Sequence, residues 1–133
     1  MQRVEKTNAE WRRELPPERF AVLREAATER PYSGALDRNK ATGTYHCGAC
    51  GAELFDSRAK FESGSGWPSF FEAARPDGVN LVEDHSHGMV RVEATCAACN
   101  SHLGHVFDDG PEPTGQRYCI NSLALDFEAA PGS

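Results

Sequence analysis

Cys47-Gly48-Ala49-Cys50-Gly51 and Cys96-Ala97-Ala98-Cys99-Asn100 decide how this chain folds. Four of its five cysteines stand in these two Cys-x-x-Cys pairs, and the fifth, Cys119, stands apart in Arg117-Tyr118-Cys119-Ile120-Asn121. Four thiolates close a tetrahedral zinc shell and leave no position open for a substrate or an activated water. Each pair is followed by a residue that tolerates positive φ, Gly51 or Asn100, as a tight turn around a metal-bound sulfur demands. The pairs could instead be redox-active dithiols or small buried apolar groups, but two matched pairs in one short chain favour zinc. Residues 51–95 separate them, more than a compact ribbon needs, so Cys47, Cys50, Cys96 and Cys99 are expected to staple two distant hairpins. Such a site contributes ~10–16 kcal/mol at neutral pH, which rivals the stability of a whole domain. Zinc then holds the fold, and Cys119 is left to react.

The 133 residues suit one domain spanning 1–133, which should bury roughly two thirds of its unfolded surface. Apolar residues at 39% and charged residues at 26% are ordinary for a globular protein and exclude a disordered chain. A net charge of −6 argues against a nucleic-acid partner, whose phosphates call for clustered Lys and Arg. No stretch reaches the ~20 apolar residues of a membrane span, and the charged start Met1-Gln2-Arg3-Val4-Glu5-Lys6 lacks the apolar run of a signal peptide. A cytoplasmic location is expected, where reducing conditions keep cysteines as metal-binding thiolates.

Thr7-Asn8-Ala9-Glu10 reads as a capping box opening a short helix with Trp11 and Leu15 on one face. Pro16-Pro17 stops it and starts a second helix, with Phe20, Leu23 and Ala27 inward and an end near Thr28. From Gly43 on, short β-branched and aromatic runs between Gly, Pro, Asn and Asp predict antiparallel strands. Val79–Glu83 and Met89–Glu93 flank Asp84-His85-Ser86-His87-Gly88, which predicts a hairpin with a five-residue loop that delivers the second cysteine pair. His85 and His87 read as solvated turn residues. A last strand is expected from Arg117 to about Phe127, with Ala129–Ser133 frayed.

Period-two alternation along that last strand puts Arg117, Cys119 and Asn121 on one face. A guanidinium beside the sulfur favours the nucleophilic thiolate, and an amide can donate to an oxygen bound there. The plain alternative is a buried structural cysteine. In Ser101-His102-Leu103-Gly104-His105-Val106-Phe107, two histidines sit just past the zinc knuckle, each able to carry a proton near neutral pH or to be a satisfied core residue. In Gly64-Ser65-Gly66-Trp67-Pro68-Ser69-Phe70, glycines permit close backbone approach, and Trp67 can wall an apolar pocket or fill the core.

Together with Thr28-Glu29-Arg30-Pro31-Tyr32-Ser33-Gly34 and Ser86-His87-Gly88-Met89, these strings resemble the methionine sulfoxide reductase B family over roughly residues 10–127. The resemblance implies a mainly β fold of two antiparallel sheets with short N-terminal helices and a structural zinc. It also implies reduction of methionine R-sulfoxide, free or within oxidised proteins. On that basis Cys119 attacks the sulfoxide sulfur, His105 protonates or hydrogen-bonds the departing oxygen, and Asn121 helps hold it. Trp67 packs against the substrate methyl, His102 supports the site, and Arg117 favours the thiolate. Many family members place a recycling cysteine where this chain has Ser65. With four cysteines assigned to zinc, the Cys119 sulfenic acid must turn to an outside thiol: thioredoxin, glutathione or another small thiol. Two other readings compete. One is a zinc-stapled binding module without catalysis, and the other is a peroxide sensor built on the lone thiol.

Overall fold

The computed structural model describes residues 3–131, the side chain of His87 excepted. The capping box forms as expected: the Glu10 N–H donates to Thr7 Oγ1 at 3.2 Å, and the Thr7 N–H donates to Glu10 Oε1 at 3.0 Å. It opens α1 (Asn8–Glu14), whose Trp11 is buried. Pro17 occupies the first turn of α2 (Pro17–Glu25), which buries Phe20, Val22 and Leu23. This helix ends three residues short of Thr28. Ala26 takes a left-handed conformation, φ 58°, and closes the last turn by donating to the Ala21 carbonyl.

Among the described residues nine strands follow: β1 (Gly43–Cys47), β2 (Glu53–Asp56), β3 (Lys60–Phe61), β4 (Ser69–Phe70), β5 (Val79–Asp84), β6 (Arg91–Cys96), β7 (His102–Phe107), β8 (Arg117–Ile120) and β9 (Leu125–Ala129). They form two antiparallel sheets, β2-β1-β9 and β3-β4-β8-β7-β6-β5. The core lies between them. Phe55 of the small sheet stacks on Phe70 of the large one, with ring centroids 4.4 Å apart, and Tyr45 meets Phe70 edge-on at 5.1 Å.

Three strand expectations need correction. The hairpin forms, but Asp84 belongs to β5 and pairs with Arg91, so the connection is residues 85–90 and Met89-Val90 lies outside the strand. Asp84 Oδ1 accepts the Ser86 N–H at 3.0 Å and starts a 3₁₀ turn over Ser86–Gly88, which the Met89 N–H closes by donating to the Ser86 carbonyl, so the strand begins only at Arg91. The stretch from Arg117 to Phe127 is two strands. After Ile120 the backbone turns through Ser122–Ala124, with the Leu123 N–H donating to Glu29 Oε1 and the Gly48 N–H to the Ala124 carbonyl, and β9 then joins the other sheet beside β1. Side-chain and cross-sheet partners at residues 123 and 124 take the place of a ladder, which alternation alone cannot reveal. The tail is ordered further than expected, since Ala129 pairs with Gly43 and the Ala130 N–H bonds the Thr42 carbonyl. Gly132 and Ser133 lie outside the described residues.

Candidate active site and metal centre

The two cysteine turns are built alike. Cys47 ends β1 and Cys96 ends β6; the Gly51 N–H returns to the Cys47 carbonyl at 2.9 Å, and the Asn100 N–H to the Cys96 carbonyl at 2.8 Å. Gly51 and Asn100 sit at φ 82° and 63°, as the sequence required. These turns come from different sheets, yet the sulfurs of Cys47, Cys50, Cys96 and Cys99 all lie within 4.8 Å of one another. The Cys47–Cys99 and Cys50–Cys96 sulfurs are 3.7 Å apart. A tetrahedron of sulfurs at ~2.3 Å from a zinc ion has edges of about 3.8 Å, so the cluster has the dimensions of a closed shell. Four sulfurs this close cannot all be anions by themselves: hydrogen bonding to Cys50 holds Cys47 well above the ordinary thiol range, whereas Cys50 is brought down to about 7 by hydrogen bonding to Cys47. A central cation removes that conflict.

Away from this cluster, a cavity of about 270 Å³ opens over β6, β7 and β8, walled by Trp67, His105, Arg117, Cys119 and Asn121 among others. Drug-sized ligands take ~300–1,000 Å³, so the space suits a single side chain. Cys119 is half-buried and sits on β8 directly opposite His105 on β7. Burial pushes its thiol up, against the Ser65 hydroxyl and the Arg117 guanidinium, which both favour the thiolate. The cation beside the sulfur therefore acts in the expected direction but does not prevail. Arg117 is held in place by Asp109, at 2.9 and 3.3 Å, and lies 4.5 Å over the Phe107 ring.

His105 donates through Nε2 to the Asp84 Oδ2 carboxylate oxygen at 2.8 Å. Burial lowers its pKa and Asp84 only partly offsets this, which favours the neutral imidazole. Asp84 is held well below the usual carboxylate range by the Ser86 N–H and by His105. His102 does not line the cavity. It packs behind His105, ring centroids 5.4 Å apart, with Nδ1 2.7 Å from Glu93 Oε2. Residues three apart on a regular strand face opposite ways, but the register slips between Ala94 and Thr95, pairing them with Gly104 and His102, and this bulge returns both rings to one side.

Asn121 is buried. Its Oδ1 accepts the Glu29 N–H at 3.0 Å and its Nδ2 donates to the Leu103 carbonyl at 3.0 Å, leaving one of two amide hydrogens for a ligand. Trp67 donates its indole N–H to the Glu29 carbonyl at 2.9 Å. Glu29 thus ties Trp67, Asn121 and Leu123 into one frame. Gly66, at φ 95°, admits the Pro31-Tyr32 backbone so closely that a Cβ there would lie 2.6 Å from Pro31 Cβ. His85 is exposed and paired with Glu83 at 3.0 Å, as a turn residue should be, while the side chain of His87 lies outside the described residues.

The sequence reading missed Asp84, Glu93, Glu29 and the contact of Ser65 with Cys119. Asp84 and Glu93 had a faint signal, as charges within the two strands of a predicted hairpin. Glu29 entered only as part of a string shared with the resembled family and Ser65 only as the place of its recycling cysteine, because their partners lie 92 and 54 positions away.

A SelR domain matches residues 15–129. The chain is 58% identical over 125 residues to a peptide methionine sulfoxide reductase MsrB of Methanosarcina mazei, covering 94% of this chain and 89% of that protein. It is 59% identical over 122 residues to the MsrB of Thiobacillus denitrificans, covering 92% of each. With the MsrB of Pseudomonas putida it shares 53% over 133 residues, all of both chains. The domain match and these identities show that the chain belongs to the SelR family, that of the MsrB reductases.

Proposed function

We propose that this protein reduces methionine R-sulfoxide, free or in oxidised proteins, with Cys119 as nucleophile. The observation that carries the reading is the pairing of Cys119 with His105 across two strands, over a cavity the size of one side chain. His105 takes the thiol proton and the sulfur attacks the sulfoxide sulfur. The proton passes to the sulfoxide oxygen, which the free amide hydrogen of Asn121 helps to hold. The oxygen moves to Cys119 as a sulfenic acid, methionine leaves, and the two sulfurs have exchanged two electrons. Trp67 walls the substrate methyl, and His102, braced by Glu93, keeps His105 in place. Preference for the R epimer follows from the resemblance to the methionine sulfoxide reductase B family.

Cys47, Cys50, Cys96 and Cys99 would hold a zinc ion that supplies structure only, joining the two sheets. Recycling falls to an external thiol, thioredoxin or a small thiol such as glutathione, which condenses with the sulfenic acid to a mixed disulfide and water. A second thiol then frees Cys119. This suits a reducing compartment such as the cytosol. Among the described residues no helix is long and apolar enough to cross a membrane. A peroxide sensor calls for an accessible thiol of lowered pKa, whereas Cys119 is half-buried and pushed up. A binding module has no use for a histidine opposite it.

The test is turnover on separated R and S methionine sulfoxides with dithiothreitol, repeated with Cys119→Ser. Activity on R only, abolished by the substitution while zinc content is unchanged, is expected. Turnover that survives the substitution overturns the reading.

A further inference from the structure

Three serine hydroxyls lead away from the Cys119 sulfur. Ser65 Oγ is 3.7 Å from Cys119 Sγ, Ser63 Oγ is 2.8 Å from Ser65 Oγ, and Ser69 Oγ is 2.7 Å from Ser63 Oγ. Ser69 Oγ in turn lies 3.1 Å from the Trp67 carbonyl, a fixed acceptor. Ser69 is buried and stands opposite Cys119 in the β4–β8 pair, so the series curls back beneath the sulfur. The backbone holds it there: the Ser65 N–H donates to Ser63 Oγ at 3.2 Å and the Trp67 N–H to Ser65 Oγ at 3.4 Å.

Each hydroxyl has one hydrogen, so the direction of the series is a matter of counting. When Cys119 is a thiol, S–H donates to Ser65, Ser65 to Ser63, Ser63 to Ser69, and Ser69 to the Trp67 carbonyl. When Cys119 is a thiolate, every hydroxyl rotates: Ser69 donates to Ser63, Ser63 to Ser65, and Ser65 to the sulfur. All the contacts between these side chains keep a hydrogen in both directions, and no proton leaves its oxygen.

We propose that Ser65, Ser63 and Ser69 form a reversible hydrogen-bond chain that takes the place of water around the Cys119 sulfur and makes its thiolate accessible inside a half-buried site. This deepens the reading of Cys119 as the attacking sulfur and rests on it. Ser65 contacts the reacting atom; Ser63 and Ser69 are positioning residues acting through Ser65. A chain of this kind polarises along its length, so a break at Ser63 is felt at the sulfur. The charged and titratable groups around Cys119 are His105 opposite on β7, Arg117 on its own strand, Arg91 on the cavity wall, and Asp37 from the segment before β1. None of them is altered by substitutions in the serine series.

The experiment is alkylation of Cys119 by iodoacetamide as a function of pH, read by mass spectrometry of the Cys119 peptide in the full zinc-loaded chain. Ser65→Ala is expected to move the midpoint up by about one pH unit and slow alkylation at pH 7 about tenfold, the scale of one lost hydrogen bond to a charged group. Ser63→Ala should move it the same way by less, and Ser65→Thr, which keeps the hydroxyl, should restore the original midpoint. An unmoved or lowered midpoint in Ser65→Ala overturns the proposal. So does an equal shift in Ser65→Thr, which would point to shape, or no shift in Ser63→Ala, which would leave no chain. These outcomes are independent of sulfoxide turnover in the Cys119→Ser protein, which judges the underlying reading by itself.

Discussion

His105 stands directly across the β7–β8 ladder from Cys119 and is anchored from behind by Asp84, whose oxygen lies 2.8 Å from its Nε2. Directly opposed residues of an antiparallel pair hold their Cβ atoms ~4.5–5.5 Å apart on one face. The relative placement of the two side chains is therefore set by backbone pairing, the stiffest element available. On the proposed mechanism, replacing the imidazole removes the proton carrier and leaves the nucleophile. His105→Asn is expected to lower kcat/KM by about 10²–10⁴, while iodoacetamide still alkylates Cys119. Near-normal turnover would exclude His105 from proton transfer.

Burial moves the two pKa values of this pair apart, raising the Cys119 thiol and lowering His105. On the proposed mechanism the pair is active with one shared proton. Acid adds a second proton at His105, and because its pKa is depressed this begins below the ordinary imidazole value of about 6.5. Base removes the last proton from Cys119, and because that pKa is raised this begins above the ordinary thiol value of about 8.5. The kcat/KM profile should therefore be a broad bell with both limbs outside that interval. Limbs that fall inside it would contradict the burial argument.

How much of this could be read from the residues depends on how local each signal is. The cysteine pairs, the capping box and the proline-started helix are short-range statements, and each appears where the sequence put it. The face shared by Arg117, Cys119 and Asn121 was also legible, because alternation needs only four residues to establish it. The bulge that brings His102 beside His105 was not, since an extra residue in a ladder depends on what the partner strand does. Nor was the break after Ile120. Leu125 and Phe127 are out of phase with the buried Tyr118 and Ile120 of β8, and they belong to a strand of the other sheet. Alternation reports which residues are buried, not against what.

The small and large sheets meet through aromatic packing and through four sulfurs supplied two from each side. As thiolates without an ion those sulfurs would oppose one another, so a metal bound there would contribute to folding directly. Chelation, verified by metal analysis, is expected to abolish cooperative thermal unfolding, and Cys96→Ser to do the same at any metal concentration. Cys119→Ser should melt as the parent does. An unchanged melting curve after complete metal removal would show that the aromatic core suffices.

Gly104 lies between Ala94 on β6 and Ile120 on β8, and a Cβ at this position would run into the Cys119 carbonyl and lie 2.9 Å from Ile120 Cα. Both obstacles are backbone, which cannot swing aside. Gly104→Ala must push β8 away from β7, and with it the sulfur from the imidazole. A destabilisation of about 1–3 kcal/mol is expected from overpacking, together with a loss of kcat that persists at temperatures where the variant is fully folded. Activity that recovers fully once folding is assured would mean that the strand spacing is not critical.

Ser65 Oγ occupies a point 3.7 Å from the reactive sulfur, on a loop whose neighbours Gly64 and Gly66 hold φ 76° and 95°. A thiol on that side chain would face the sulfenic acid at closer range than any thiol from solution, and glycines on both sides give the loop freedom to shorten the gap. Ser65→Cys treated with one equivalent of methionine sulfoxide should form a bridge between position 65 and Cys119, seen by peptide mass mapping, and should then accept electrons from a dithiol reductant faster than the parent. In the parent the other four cysteines are clustered at the metal centre, so Cys119 should remain a sulfenic acid or join an added thiol. A bridge from Cys119 to any of those four in the parent would show that the metal cysteines enter the catalytic cycle, and the separation between structural and reactive sulfur would have to be abandoned.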